Sequence, residues 1–275
     1  MRIGQKFART PRPDPAATAS SAGLRVRGRL CAFVLLVLHG LFLPLLASAD
    51  TLPAPSGGLP DRLLLTYALS RGTLEIARVD EVYERKGGRY LLQSEARAVG
   101  LAALVARGQG WRRESEGAVT VDGLRPEQFT DQRGNNPVQR ARMDWSARQI
   151  RFDRLPASGE AETGAPEMLP VGTTDRLSFP YSMAQRATLP EGEWEAPMTD
   201  GRRLTRYRFR VVGRETVITP AGSFDALRVT RVHAKDEAGT DVWLAISRQM
   251  IPVRILVTES DGTVFDQVLV KIGPP

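Results

Sequence analysis

The last third of the chain alternates. In "RRLTRYRFRVVG", Thr205, Tyr207, Phe209 and Val211 fall on one side, and Arg206, Arg208 and Arg210 on the other. Strict period two suits an extended strand, since a helix would scatter the same residues around its circumference. The pattern recurs in "RLLLTYALSRG" (Leu63, Leu65, Tyr67, Leu69), in "RYLLQSEARAVG" (Tyr90, Leu92, Ser94, Ala96, Ala98) and in "TDVWLAIS" (Val242, Leu244, Ile246). Turn signals separate the runs: "KGG", Pro220-Ala221-Gly222 and Asp261-Gly262. Some strands are apolar on both faces, as in Leu63 with Leu64, Ile255 with Leu256 and Leu269 with Val268. That fits a sheet wrapped around a core or covered by a helix. The pattern predicts a mainly β fold: a curved antiparallel sheet or open β-barrel with one or two short helices.

Between these runs, "WRRESEG", "AVTVDGL" and "EQFTDQR" read as short strands joined by turns, and "VQRARMDW" with "RQIRFD" as a hairpin around Ser146-Ala147. "GLAALVARGQG" fits a helical turn or an apolar strand equally well. "LPASGEAETGAPEMLPVGT", residues 155–173, has no period and reads as a long, flexible, exposed loop. "TDRLSFPYSMAQRATLP" carries the best helix. Asp175 or Ser178 would cap it, Pro180 lies in its first turn, Leu177, Tyr181 and Ala184 share a face, and Pro190 ends it.

The apolar run Leu30–Leu46 follows Arg25, Arg27 and Arg29 and ends in Ala47-Ser48-Ala49. A spanning helix needs about 20 apolar residues, and His39, Gly40 and Pro44 interrupt this shorter run. Basic flank, apolar core and small-x-small exit make a secretory signal cut after Ala49, with Asp50 as the new N-terminus. An uncleaved anchor is the alternative. The expected organisation is a leader and signal peptide over 1–49, a linker over 50–61 and a single β-rich domain over 62–275. The expected location is the periplasm, with peripheral membrane association left open.

Removing the leader changes the charge. The whole chain carries 38 basic and 31 acidic residues, and the leader holds seven of the former and one of the latter, Asp14. The remainder is nearly neutral, which argues against a nucleic-acid partner. It also loses Cys31, the only cysteine. With one histidine left, His233, a zinc site has too few ligands, so no metal or cofactor is expected.

Catalytic patterns are equally scarce. There is no G-x-S-x-G, no H-E-x-x-H, and neither glycine-rich phosphate or dinucleotide fingerprint, so no catalytic residue is named. His233 reads as structural, and "DEAGTD" (Asp236 to Asp241) as a hairpin turn, not a calcium loop. Asp131, Asp144 and Asp153 lie near strand ends, where turn-forming Asp belongs, although a glycosidase-like pair would also draw on such residues. The Arg206/Arg208/Arg210 row is a candidate for an anionic surface. Its plainer reading is an edge strand whose charges discourage pairing and are neutralised by facing acids.

At "TDRLSFPYSMA", "VVGRETVITPAGSFDALRVTR", "VWLAISRQMIPVRI" and "ESDGTVFDQVL" the chain resembles a bacterial exported family, domain of unknown function 3108. The likeness spans roughly Leu63 to Ile272 and implies no reaction and no catalytic residues. Together the features favour an exported, non-catalytic envelope protein binding a lipid or other apolar ligand inside a curved sheet, as a monomer. Tyr67, Leu69, Tyr207, Phe209, Trp243 and Leu244 are the candidate lining residues. An envelope protein-interaction module, then a carboxylate-based polysaccharide or peptidoglycan hydrolase, are the alternatives.

Overall fold

The computed structural model describes residues 58–100, 103, 110–186 and 188–273. The signal-cleavage residues Ala47, Ala49 and Asp50, and most of "GLAALVARGQG", lie outside the described residues. Period-two runs become strands as expected. β1 (Arg62–Arg71) buries Leu63, Leu65, Tyr67 and Leu69, and β3 (Arg89–Ala98) buries Tyr90, Leu92, Ser94 and Ala96. Between them lies β2 (Leu74–Lys86), joined to β3 by the Gly87-Gly88 turn.

β4 (Trp111–Thr120) and β5 (Gly123–Arg133) form one long hairpin where shorter strands were expected. A register shift at Glu116/Gly117 lets the strand continue. An alanine Cβ at Gly117 would lie 2.1 Å from the Arg125 carbonyl oxygen, so glycine permits this close passage. β6 (Val138–Asp144) and β7 (Gln149–Leu155) make the expected hairpin, with Asp144 Oδ1 accepting bonds from Ser146 Oγ and Ala147 N in its turn. The segment 155–173, expected to be a loop, carries two short strands on β7: β8 (Glu162–Thr163) and β9 (Glu167–Met168). Leu169, 1% exposed, anchors it to the core.

β10 (Thr174–Asp175) precedes helix α1 (Ser178–Gln185), which leads to β11 (Glu193–Thr199). β10 and β11 pair in parallel, an arrangement that needs a crossover, and α1 supplies it. The meander then runs through β12 (Leu204–Thr219), β13 (Gly222–Val232), β14 (Gly239–Ala245), β15 (Ile251–Thr258) and β16 (Val264–Ile272). β12 continues beyond the "RRLTRYRFRVVG" run across an irregularity at Val211/Gly213. Flanked by β11 and β13, it is not the edge strand that its arginines suggested.

All the strands belong to one sheet, in the order β10 to β16 and then β1 to β8, with β9 beside β7. β1 pairs β16, so the sequence termini of the sheet meet in its middle. Its free ends are two-residue strands, a way of keeping exposed edges short. The sheet bends until β10 touches β5, and the turn at Gly201 comes against Gln139 of β6. No backbone ladder joins these ends among the described residues, so the barrel stays open.

Helix α1 fills one part of the enclosed space. Amphipathic patterning predicted one apolar face, yet Ser178, Phe179, Pro180, Tyr181, Met183 and Ala184 are all buried. The helix packs against β4, β5, β14 and β15, so it is enclosed by the sheet instead of lying on it. Each large apolar side chain buried this way contributes roughly 1.5–3 kcal/mol. Asp175 caps it: Oδ1 accepts from the backbone N–H of Leu177 (2.9 Å) and Ser178 (2.8 Å).

Candidate functional site

The helix leaves part of the curved sheet unfilled. A cavity of about 1090 Å³ remains, at the upper end of the roughly 300–1000 Å³ usual for ligand pockets. One wall is apolar: Leu69 and Ile76 from β1 and β2, Val242 from β14, Ile255 and Val257 from β15, and Phe265 from β16. Phe179 and Tyr181 of α1 close the base, and Tyr207 and Phe209 of β12 flank it. Phe179 and Phe209 sit with ring centroids 4.3 Å apart, which fixes helix against sheet.

Other parts of the lining are polar. Trp111 and Arg113 of β4, Arg133 of β5, Asn135 and Asn136 form them, together with Arg176 beside α1. The Arg113 guanidinium stacks on the Trp111 ring at 4.6 Å and donates to Asp131 at 3.1 Å. Burial lowers the Arg113 pKa to about 10, opposed by Asp131 and reinforced by repulsion from Arg176 and Arg133. It therefore stays cationic at neutral pH. The Trp111 indole N–H is buried and has no acceptor among the described residues.

The lining also holds an acid that alternation places on an apolar face: Ala77, Val79, Glu81 and Tyr83 all point inward from β2. Glu81 is 5% exposed and accepts bonds from Tyr181 Oη, Ser94 Oγ (3.2 Å) and Gln267 Nε2 (3.3 Å). The Tyr90, Tyr83 and Tyr181 rings stack in succession beside it, with centroids 6.5 and 6.2 Å apart. Burial raises the Glu81 pKa, with the bonds from Tyr181, Gln267 and Ser94 opposing the rise. The folded state thus holds this proton more tightly than the unfolded chain. Its stabilisation is complete below the unfolded value of about 4.3 and is lost as pH rises through the folded value. Glu81→Gln is accordingly expected to gain stability relative to the parent as pH rises from acid to neutral. Urea unfolding across that range would show it, and an offset independent of pH would count against it.

The structure scatters the six expected lining residues. Leu69, Tyr207 and Phe209 do line the cavity. Tyr67 and Leu244 lie outside it, at 0% exposure in the core, and Tyr67 Oη donates to the Pro252 carbonyl at 2.8 Å. Trp243 faces away from Val242. It is clasped between the Arg228 and Arg254 guanidiniums, and its indole N–H donates to Glu215. A period-two strand puts neighbours on opposite faces, so Trp243 and Leu244 could share a cavity only through the bulge between them, and they do not.

The arginine row is exposed on the outer face of β12. Arg206 pairs with Glu195 at 3.4 Å and Arg208 with Glu193 at 3.2 Å across the β11–β12 ladder, while Arg210 is exposed beyond them. Facing acids thus neutralise two of the three, and such exposed pairs contribute little. Among the carboxylates, Asp131 is held by Arg113 and Arg133, and Asp153 by Arg140 and Arg142. Each is committed to arginine partners within the sheet. His233 Nδ1 contacts the Ala234 carbonyl at 2.7 Å at the exit of β13.

Four residues of the site carry no motif: Glu81, Trp111, Arg113 and Arg176. The signal for Glu81 was an acid in step with apolar neighbours. For Arg113 it was the alternation of Trp111, Arg113, Ser115 and Gly117 on an inward face. Arg176 offered none, since its place depends on where the helix sits.

The fold and cavity define a class: an open, curved antiparallel barrel, plugged in part by one helix and hollow beyond it. The chain belongs to the family described as "Protein of unknown function (DUF3108)", which matches residues 65–269. No curated protein shows a significant match. Among solved structures, the chain is similar to a β-barrel-like protein of domain of unknown function DUF1849 from Brucella abortus. Identity is 12%, TM-score 0.48, and the match covers 78% of this chain and 97% of that one. It is also similar to a candidate exported protein with a YmcC-like fold from Bacteroides fragilis (10% identity, TM-score 0.36, 79% and 97% covered). A candidate lipoprotein from Parabacteroides distasonis follows (8% identity, TM-score 0.33, 78% and 97% covered).

Proposed function

We propose that this is an exported envelope protein whose β-rich domain binds the apolar chain of a lipid or similar ligand, as a monomer in the periplasm. The observation that carries the reading is the cavity of about 1090 Å³ between α1 and the sheet, lined by apolar side chains from β1, β2, β14, β15 and β16. Burying an acyl chain there would remove apolar surface from water on both partners, worth roughly 25 cal/mol per Å². The basic, apolar, small-x-small order of residues 25–49 supports export.

Native mass spectrometry of the protein, expressed with its own leader and purified from periplasm without detergent, tests both parts. The expected result is a monomer beginning at Asp50 that carries a discrete extra mass extractable into organic solvent. An empty chain would overturn the ligand reading. A mass retaining the Leu30–Leu46 run would overturn the cleavage.

A further inference from the structure

The cavity's lining is mixed in chemistry, and that mixture selects among apolar ligands. Five arginines line it (Arg113, Arg133, Arg176, Arg203 and Arg231) against three acids, Glu81, Asp200 and Glu259. The acids do not offset this cluster evenly. Glu81 is already bonded by Tyr181, Ser94 and Gln267 at the base. Asp200 Oδ1 accepts from the backbone N–H groups of Arg202 and Arg203. Asp131, behind the lining, serves Arg113 and Arg133 together. Arg176 and Arg203 are exposed at the rim and have no ion pair among the described residues.

Two further features point the same way. Arg113 is only 19% exposed in its side chain and is held in place by Trp111 and Asp131, so its cost of ordering is already met. Arg231 lies 4.1 Å over the Tyr207 ring and pairs with Glu237 at 4.0 Å, a second held guanidinium at the cavity. Fixed cations beside hydrocarbon in one cavity suit a single amphiphile.

We infer that the ligand is anionic: an acyl chain lies along the apolar lining and a carboxylate or phosphate headgroup meets Arg113 and Arg176. The inference rests on the ligand reading above. Arginine suits both headgroups, because its planar fork matches carboxylate and phosphate oxygens alike. A neutral lipid would leave Arg176 and Arg203, which have no ion pair among the described residues, without a counter-charge.

The test is displacement of the uncharged fluorescent probe N-phenyl-1-naphthylamine from the mature protein purified from periplasm. Hexadecanoate, hexadecanoyl lysophosphatidic acid and hexadecanol share a chain length and differ in headgroup. At least one anionic ligand is expected to displace the probe at ~10-fold lower concentration than hexadecanol. Which anion does better distinguishes a free fatty acid from a phospholipid-type headgroup. Arg176→Gln should weaken the anionic ligand ~5- to 10-fold and leave hexadecanol unchanged. Arg203→Gln, also exposed, provides a second variant, and circular dichroism confirms that both fold. Equal displacement by hexadecanol, with no effect of either variant, would overturn the headgroup inference while leaving the apolar reading intact. Failure of the probe and all three ligands to bind would overturn both.

Discussion

Asp175→Ala is expected to lower the unfolding free energy by about 3–4 kcal/mol, an amount composed of a lost helix cap and stranded buried hydroxyls. Asp175 is fully buried and accepts from four donors: Leu177 N and Ser178 N through Oδ1, Ser115 Oγ (2.6 Å) and Ser178 Oγ (2.8 Å) through Oδ2. Because Ser115 spends its proton on Asp175, the Tyr90 hydroxyl 2.8 Å away must donate to Ser115. One carboxylate therefore ties α1 to β4 and, through Ser115, to β3. Burial raises its pKa, opposed by the bonds from Ser115 and Ser178. Asp175→Asn keeps the Oδ1 acceptor and lets the hydroxyls reverse, so it should cost about half as much. Urea denaturation measures both. A loss below about 1 kcal/mol for the alanine variant would mean that apolar burial alone holds the helix.

Gly123→Ala should be nearly as damaging, at about 3 kcal/mol, through backbone strain and overpacking together. Gly123 has φ +113°, and an added Cβ would lie 2.2 Å from Ser182 Oγ and 2.8 Å from its carbonyl oxygen. That approach lets Leu124 N donate to Ser182 Oγ at 3.0 Å, the second tie between α1 and the β4–β5 hairpin. Gly72 makes the comparison clean. It has φ +58° in the β1–β2 turn with nothing within 4 Å, so Gly72→Ala should cost only about 1 kcal/mol. Thermal or urea unfolding of the pair isolates the steric part. Equal losses would show that contact with the helix contributes nothing.

The strands were legible because burial on this sheet follows alternation closely. Leu63 through Leu69 and Tyr90 through Ala96 face inward in step. Their lengths were less so, because Gly117 and Gly213 sit where the register slips and read locally as turns. The helix was legible as a helix. Its enclosure was not, since Phe179, Pro180 and Met183 lie off the expected face and are buried only because the sheet curls round them. The cavity was half legible. Leu69, Tyr207 and Phe209 follow from inward faces, whereas Trp243 did not, because two arginines and Glu215 give a large aromatic ring a sheltered place on the outside. The polar lining was unreadable in advance. It gathers residues from β4, β5 and the helix approach, which only the bend of the sheet brings together.

The pairing of β1 with β16 also sets an order of events. Every other antiparallel ladder on the main path joins neighbours in the chain, but this one links Leu65 to Ile272. Most ladders can thus zip locally, while this closure carries the entropy of a loop of some two hundred residues. A chain emerging N-terminus first forms β1 early and leaves one side of it bare until its last strand arrives. During that interval Tyr67 and Leu69 lie on an unpaired edge, the state in which a foreign edge or a second chain competes best. Joining the termini and opening the chain near the two-residue edge strands would turn the same sheet into an uninterrupted meander and remove the wait.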